Sequence, residues 1–135
     1  MANDMLREWL RLAKADYTTA THLYKTMVPR PLEIICYLCQ QAVEKLLKGL
    51  LLVQGEEIKK THNLGLLAEI LQSYHSIPPE CLDGCYALTP YGVKVRYPQE
   101  QATEDWQAKR ALAMMQAIFV WGEPLLTSEI EKAGD

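Results

Sequence analysis

The sequence predicts an all-α protein, an up-and-down antiparallel bundle of about five helices that forms one domain over residues 1–135. Apolar residues in its long segments recur every three or four positions rather than in alternation, which is the helical period. Proline-containing breaks at residues 29–31, 78–79 and 89–98 divide these segments. A chain of 135 residues is long enough to bury a sizeable core but short for two domains. Long amphipathic helices with short connections favour a bundle.

The first two helices are predicted over residues 4–27 and 32–53. Asp4 is a suitable N-cap for the first, because its carboxylate can accept free backbone N–H groups. Gly55 provides a C-terminal stop for the second. Apolar residues cover more than a third of the circumference of the second helix. We therefore expect it to be central, in contact with several other helices or with a second subunit.

The remaining helices are predicted to be shorter or interrupted. A third follows Asn63, and a fourth begins at Pro78-Pro79, since proline suits the first helical turn. A fifth is expected over residues 102–121, with Trp106 packed inward. Pro124 is expected to break it and to leave a last half-helix over residues 125–132.

Composition and charge restrict the functional classes. Hydrophobic residues make up 49% of the chain, charged residues 23%, and the net charge is -3, so we expect no long nucleic acid as a ligand. The sequence shows neither the basic start and apolar run of a signal peptide nor an apolar stretch long enough for a membrane span. We therefore expect a cytoplasmic protein with no membrane partner.

The four cysteines form two close pairs, Cys36/Cys39 and Cys81/Cys85. Such spacings occur in zinc sites, but zinc knuckles usually place their cysteines on turns, whereas the first pair lies inside a predicted helix. Reduced, buried cysteines behave as small hydrophobic residues. The prediction is a core role, with no metal and no cofactor.

Complete catalytic motifs are missing from the sequence. It contains no phosphate-binding glycine-rich loop, no His-Glu-x-x-His and no Gly-x-Ser-x-Gly, so no catalytic residue is assigned. The chain has three histidines. His62, in Thr61-His62-Asn63-Leu64, is expected to help satisfy backbone groups at the start of the third helix.

Two polar groupings remain as candidate binding residues. One is a stripe on the second helix, comprising Tyr37, Gln40, Gln41, Glu44, Lys45 and Lys48. The other is the segment over residues 91–98, which includes Lys94, Arg96 and Tyr97 and precedes the fifth helix. Helix starts favour anions, and arginine binds phosphates with a planar fork, so this segment is a candidate for a phosphate or an acidic partner. The alternative is a helix connection in which Tyr91 and Tyr97 pack.

Taken in order, these residues resemble the HEPN family. The matching elements are Cys36-Tyr37-Leu38-Cys39-Gln40-Gln41-Ala42-Val43-Glu44-Lys45 with Lys48, then Gly55, Thr61-His62-Asn63-Leu64 and Val95-Arg96-Tyr97-Pro98. The resemblance implies a helical bundle that is usually a homodimer. Many members are metal-independent RNase toxins that use an Arg-x4–6-His motif across the dimer. Others are small partners of a separate minimal nucleotidyltransferase.

In this sequence Arg96 matches the arginine of the family motif. The histidine would then fall at Gln101, Ala102 or Thr103, and no histidine follows His75. The Arg-Tyr-Pro form resembles the branch with nucleotidyltransferase partners, in some cases as a toxin–antitoxin pair.

The resemblance therefore implies a non-catalytic subunit that binds a nucleotide or a partner through residues of the two groupings, which are Gln41, Glu44, Lys45, Lys48, Lys94, Arg96 and Tyr97. Glu44 is also the expected internal partner of Arg96. Two alternatives remain open: an RNase in which Tyr97 or His62 replaces the motif histidine, and a purely structural helical dimer.

Overall fold

The computed structural model describes residues 2–93 and 101–134, and this part of the chain contains helices and no strand. The five α-helices confirm the predicted fold class. They are α1 (Ala2–Thr26), α2 (Leu32–Val53), α3 (Leu64–Leu71), α4 (Pro79–Leu88) and α5 (Asp105–Gly134), and a 3₁₀ turn (Thr89–Gly92) follows α4. None of the described helices is both long enough and apolar enough to cross a bilayer.

Contacts between helix ends give the directions of the three long helices. Asn3 at the start of α1 donates to the carbonyl of Ile130 near the end of α5, and Tyr24 at the end of α1 donates to Asp105 at the start of α5. These two helices are therefore antiparallel, and the short turn after Thr26 makes α1 antiparallel to α2 as well. The α3–α4 segment then returns the chain, so that α5 runs parallel to α2.

Helix α2 lies at the centre of the molecule. It packs against α1 and α5 in the bundle, and against α3, α4 and the 3₁₀ turn on its remaining side. Most of its apolar side chains are buried by these elements, with Ile34 near its start left exposed; the largest fully buried ones are Ile35, Leu46, Leu47, Leu50 and Leu51. The broad apolar face of α2 is thus covered within one chain, and a second subunit is not needed to explain it.

The fifth helix differs from its prediction at both ends. It begins at Asp105, and it continues through Pro124 to Gly134 instead of breaking there. Proline removes one backbone hydrogen bond, but Leu126 is fully buried beyond it and packs within contact distance of Gly49 on α2. This burial holds the last turns on the helix axis and offsets the lost bond.

The expected inward position of Trp106 is wrong. Its ring is exposed, and its indole N–H donates to the carboxylate of Glu104. Trp106 is the second residue of α5, and a side chain in the first turn of a helix can lie beyond the end of the neighbouring helix, where the helical period alone does not guarantee burial.

All four cysteines lie in the core as free thiols, which confirms the core role predicted for them. Burial raises the pKa of the Cys36 thiol and that of the Cys85 thiol to about 12 each, with smaller contributions from Glu33 and Cys81 respectively. These thiols therefore remain protonated and unreactive near neutral pH.

Candidate functional site

The middle of α2 carries a buried group of polar side chains that reaches a loop residue of another element. We call it the polar cluster: Gln40, Gln41, Glu44 and Lys48 of α2, with His62 from the segment before α3. Positions 40, 44 and 48 are four residues apart and therefore lie on one helical face. Gln40, Glu44 and Lys48 are the buried polar or charged residues of the described chain.

Glu44 is the centre of this cluster. One carboxylate oxygen, Oε2, accepts a hydrogen bond from Lys48 Nζ at 2.9 Å. The other, Oε1, lies 3.1 Å from Gln40 Nε2 and 2.8 Å from His62 Nδ1. Burial by itself would raise the pKa of Glu44, but the hydrogen bonds from Lys48, His62 and Gln40 outweigh it and lower the pKa. The carboxylate is therefore ionised near neutral pH.

Gln40 connects the loop before α3 to the central helix. Its Nε2 group donates to the His62 carbonyl at 2.9 Å as well as to Glu44, and its Oε1 accepts from Gln41 Nε2 at 2.7 Å. The 3₁₀ turn closes over the same side chain: a Cβ at Gly92 would lie 3.1 Å from Gln40 Nε2. Three segments of the chain thus meet at one fully buried amide.

The His62 side chain does not serve the start of α3, which corrects the expectation from the sequence. Asn63 is the N-cap, and its side chain accepts from the backbone N–H of Leu66. The His62 imidazole instead binds Glu44 while 69% of the side chain stays exposed. Because the carboxylate is ionised, the proton in this contact belongs to Nδ1, and Nε2 is the nitrogen left for solvent or a ligand. Among the described residues, Nε2 has no hydrogen-bond partner.

The predicted binding residues of α2 do not all converge. Lys48 is held by Glu44, whereas Lys45 points to α1 and pairs with Asp16. Gln41 is bonded to Gln40 and lies at the edge of the polar cluster. The other three, Lys94, Arg96 and Tyr97, lie outside the described residues, as does the expected pair between Arg96 and Glu44.

Two members of the cluster were not among the seven residues assigned to ligand or partner binding: Gln40, which the sequence placed only in the polar stripe, and His62. The signal for Gln40 was its position one helical turn before Glu44, on the same face. The signal for His62 could not come from spacing, because the residue is 18 positions from Glu44 and meets it only through the fold. Neither residue belongs to a metal-binding group: the described part of the chain has no cluster of three or more potential histidine, cysteine or carboxylate ligands.

Comparison with known proteins identifies the fold. The crystal structure of TT1696 from Thermus thermophilus is 25% identical in sequence, with a TM-score of 0.75 over 88% of this chain and 96% of that chain. The structure of ST0689, an archaeal HEPN homologue, is 23% identical, with a TM-score of 0.68 over 90% of this chain and 97% of that chain. The search of curated proteins finds no match.

A family model gives the broader relationship. The model for the HEPN domain matches residues 6–125, which include all of α2, α3 and α4 and most of α1 and α5. The polar cluster lies entirely within this match. The chain belongs to the HEPN domain family.

Proposed function

We propose that this chain is a non-catalytic HEPN subunit that binds a nucleotide or a protein partner and acts with a separate minimal nucleotidyltransferase. The observation that carries the proposal is the set of residues at the histidine positions of the Arg-x4–6-His motif: Gln101, Ala102 and Thr103. None of these side chains exchanges protons near neutral pH. A positioned acid or base contributes about 10²- to 10⁴-fold to a rate, so an RNase without it would be weak.

The ion pairs of α2 refine which residues we assign to the ligand. The ammonium groups of Lys45 and Lys48 are each engaged by a carboxylate of the same chain, Asp16 and Glu44. A phosphate would have to displace those carboxylates to bind there. We therefore assign anion binding mainly to Lys94 and Arg96, together with Tyr97, the next residue in the sequence, and a supporting role to Gln41, Glu44, Lys45 and Lys48.

A homodimer is part of the proposal, and it needs an interface other than the apolar face of α2. Large apolar side chains remain exposed at the end of the bundle where α1 finishes and α2 and α5 begin, and further along α5; they are Met27, Val28, Ile34, Trp106 and Val120. A stable dimer should bury roughly 1,200 Å² or more in total. Light scattering at micromolar concentration should give twice the 15.4 kDa mass of one chain; the mass of a single chain would contradict a dimer.

Co-expression with the product of a neighbouring nucleotidyltransferase gene tests the central proposal. We expect the two proteins to elute together in size-exclusion chromatography. Arg96→Ala should weaken this complex while it changes the stability of the subunit by no more than about 0.5 kcal/mol. Arg7→Ala is the matched control, because Arg7 is an exposed arginine of α1. Separate elution of the two wild-type proteins, or equal weakening by both changes, would contradict the proposal.

The toxin–antitoxin setting has its own test. If the pair forms such a system, expression of one member alone should slow growth, and expression of the other should restore it. If neither gene alone affects growth, the toxin–antitoxin hypothesis is wrong, but the proposed complex with the nucleotidyltransferase is not contradicted.

A second candidate function, a metal-independent RNase, is favoured by one contact. Glu44 orients the exposed imidazole of His62 through a 2.8 Å hydrogen bond, which is how carboxylates position a histidine for general-base catalysis. Purified protein should then cleave total RNA in the presence of a chelator. Loss of cleavage in both His62→Asn and Arg96→Ala would support this function over the first, whereas no cleavage by the wild-type chain would exclude it.

A further inference from the structure

A groove on the surface of the bundle lies between Tyr17 of α1 and the segment of α5 that surrounds Pro124. Its volume is about 560 Å³, and it shares no residue with the polar cluster. Its apolar part consists of Pro124, Val120, which is 79% exposed, and the rings of Tyr17 and Phe119, whose centroids are 4.7 Å apart. The other lining residues are polar or acidic: Gln116, Glu123, Thr127, Ser128 and Glu131.

The groove is negatively charged at two separate places. Glu123 and Glu131 lie eight positions apart on α5, which corresponds to about 12 Å along the helix. Lys14 of α1 pairs with Glu123 at 3.3 Å, but the Lys14 side chain is 57% exposed, so this pair is readily exchanged. Glu131 has no ion pair within the described part of the chain. It belongs to the last turn of α5, where the helix dipole adds negative charge.

Several hydrogen-bonding groups in the groove are not used by the protein itself. Because Pro124 has no N–H, the Val120 carbonyl lacks the donor that a regular helix would supply at this position. The hydroxyl groups of Thr127 and Ser128 have no hydrogen-bond partner among the described residues. By contrast, the Thr19 hydroxyl of α1 donates to a carbonyl of its own helix at 2.7 Å. The groove therefore offers free oxygen atoms to the N–H groups of a ligand.

These features select a ligand with separated positive charges on an apolar chain. An anion such as a nucleotide would be repelled by both carboxylates, and no lysine or arginine is among the described lining residues. A metal ion would not be shared, because Glu123 and Glu131 are too far apart to bind one ion together. A simple monoamine would pair with one carboxylate and leave the other unused. A chain with an ammonium group at each end uses both, and its methylene groups can cover the aromatic rings.

We propose that this groove binds a linear aliphatic polyamine of about the length of spermidine. The two terminal ammonium groups pair with Glu123 and Glu131, and the methylene chain lies along Val120 and Pro124. The ligand displaces Lys14 from Glu123. Because the site lies outside the polar cluster and takes a cation, the inference goes beyond the proposed function and does not depend on it.

Isothermal titration calorimetry of the wild-type chain at low salt provides the main test. The probes are spermidine, α,ω-diaminooctane and α,ω-diaminobutane. The two diamines carry the same charge, but only the longer one reaches both carboxylates, so it should bind about fivefold more tightly. Glu131→Gln should remove this preference. Equal affinity of the wild-type chain for both diamines, or a preference that survives Glu131→Gln, would overturn the inference.

Matched variants separate this site from a general attraction of cations. Glu131→Gln should weaken spermidine binding about fivefold. Glu129→Gln removes the same charge from the same helix, at a residue that does not line the groove, and should change the affinity by no more than about twofold. Lys14→Ala should strengthen binding, because it frees Glu123. Equal weakening by Glu129→Gln and Glu131→Gln, or weakening by Lys14→Ala, would overturn the inference.

Two other occupants of the groove give different results. Magnesium chloride at matched ionic strength should not displace spermidine more than sodium chloride does, and complete displacement by magnesium would assign the groove to a metal ion. A second copy of the chain would compete with spermidine, since Val120 is one of the exposed apolar residues available to a dimer. The affinity should not depend on protein concentration. An affinity that falls as the dimer forms would assign the groove to the dimer interface and overturn the inference.

Discussion

Two carboxylates each hold separate parts of this molecule together, and they do so in opposite environments. Glu44 joins α2 to the loop before α3 through His62 and is also bound by Lys48 and Gln40 of its own helix, and its side chain is 7% exposed. Asp105 joins the start of α5 to the end of α1 and the turn after it, through Tyr24 at 2.9 Å and Arg30 at 3.1 Å. Its side chain is 50% exposed.

A similar set of hydrogen bonds therefore has a different energetic value in the two places. Around Asp105, water can replace each partner that is lost, and Arg30 is also supported by the Tyr24 ring, 3.9 Å from its guanidinium. Around Glu44, a lost partner leaves a charged group in a site with little access to water, because the side chains of Glu44 and Lys48 are only 7% and 9% exposed. Loss of the Glu44 carboxylate should therefore lower the unfolding free energy of the whole protein, whereas loss of the Asp105 carboxylate should affect only the local order of the helix ends.

The largest effect is expected from Glu44→Ala. Removal of the carboxylate leaves the ammonium group of Lys48 buried without its partner, which should cost about 3–5 kcal/mol of unfolding free energy. Urea unfolding followed by circular dichroism measures the loss. Asp105→Ala is the matched control. A loss below about 1 kcal/mol for Glu44→Ala would mean that water enters the cluster and that the two carboxylates do not differ.

Gln40→Ala should have the next largest effect. It removes the donor to Glu44 and the only side-chain donor to the His62 carbonyl among the described residues, at a cost of about 2–3 kcal/mol. Hydrogen exchange should show the strongest loss of protection in the loop before α3. Gln41→Ala, which removes a single bond at the edge of the cluster, should cost about 1 kcal/mol, and an equal effect of both changes would contradict this account.

The pH dependence of stability should follow the lowered pKa of Glu44. A carboxyl group with a lowered pKa in the folded state stabilises the fold above its unfolded pKa and loses this contribution as pH falls through the folded value. The stability difference between wild type and Glu44→Gln should therefore be full near neutral pH and shrink in acid. Urea titrations of both proteins across this range test it, and a difference independent of pH would contradict it.

A smaller effect is expected from Asp105→Asn. The pair with Arg30 is half exposed, so the change should cost at most about 1 kcal/mol, and added salt should reduce the cost further. Urea unfolding at low and high salt measures both quantities. A cost comparable to that of Glu44→Ala would show that burial does not distinguish the two carboxylates.

The smallest effect is expected for the cysteines, which should neither react with a thiol reagent nor respond to a chelator while the protein is folded. Buried thiols with a raised pKa should react with a thiol reagent only when the protein unfolds, and a chelator should leave the melting temperature unchanged. Elemental analysis of the purified protein is the control. One zinc per chain, or unfolding on chelation, would reverse the core assignment, since a structural zinc contributes folding energy directly.

The helices of this protein follow from its sequence alone, because helix formation depends on local period and on end signals. The bounds predicted for α2 agree with the structure, and Asn63 and Pro79 stand where α3 and α4 begin. The fifth helix is the exception, since it begins later than predicted and continues past Pro124. As a local signal Pro124 predicted a break, but packing of Leu126 against Gly49 stabilises the continuous helix.

The interactions of the polar stripe of α2, in contrast, depend on the tertiary fold. Their spacing places Glu44, Lys45 and Lys48 near one another on α2, but their partners come from different elements. Lys45 pairs with Asp16 of α1, whereas Glu44 binds His62 of the loop before α3. Whether a charge is exposed or buried depends on which surfaces cover it, and these surfaces come from distant parts of the chain. The helical period determines which side chains share one face of a helix. The packing of distant segments determines which charged partners those side chains meet and whether they are buried.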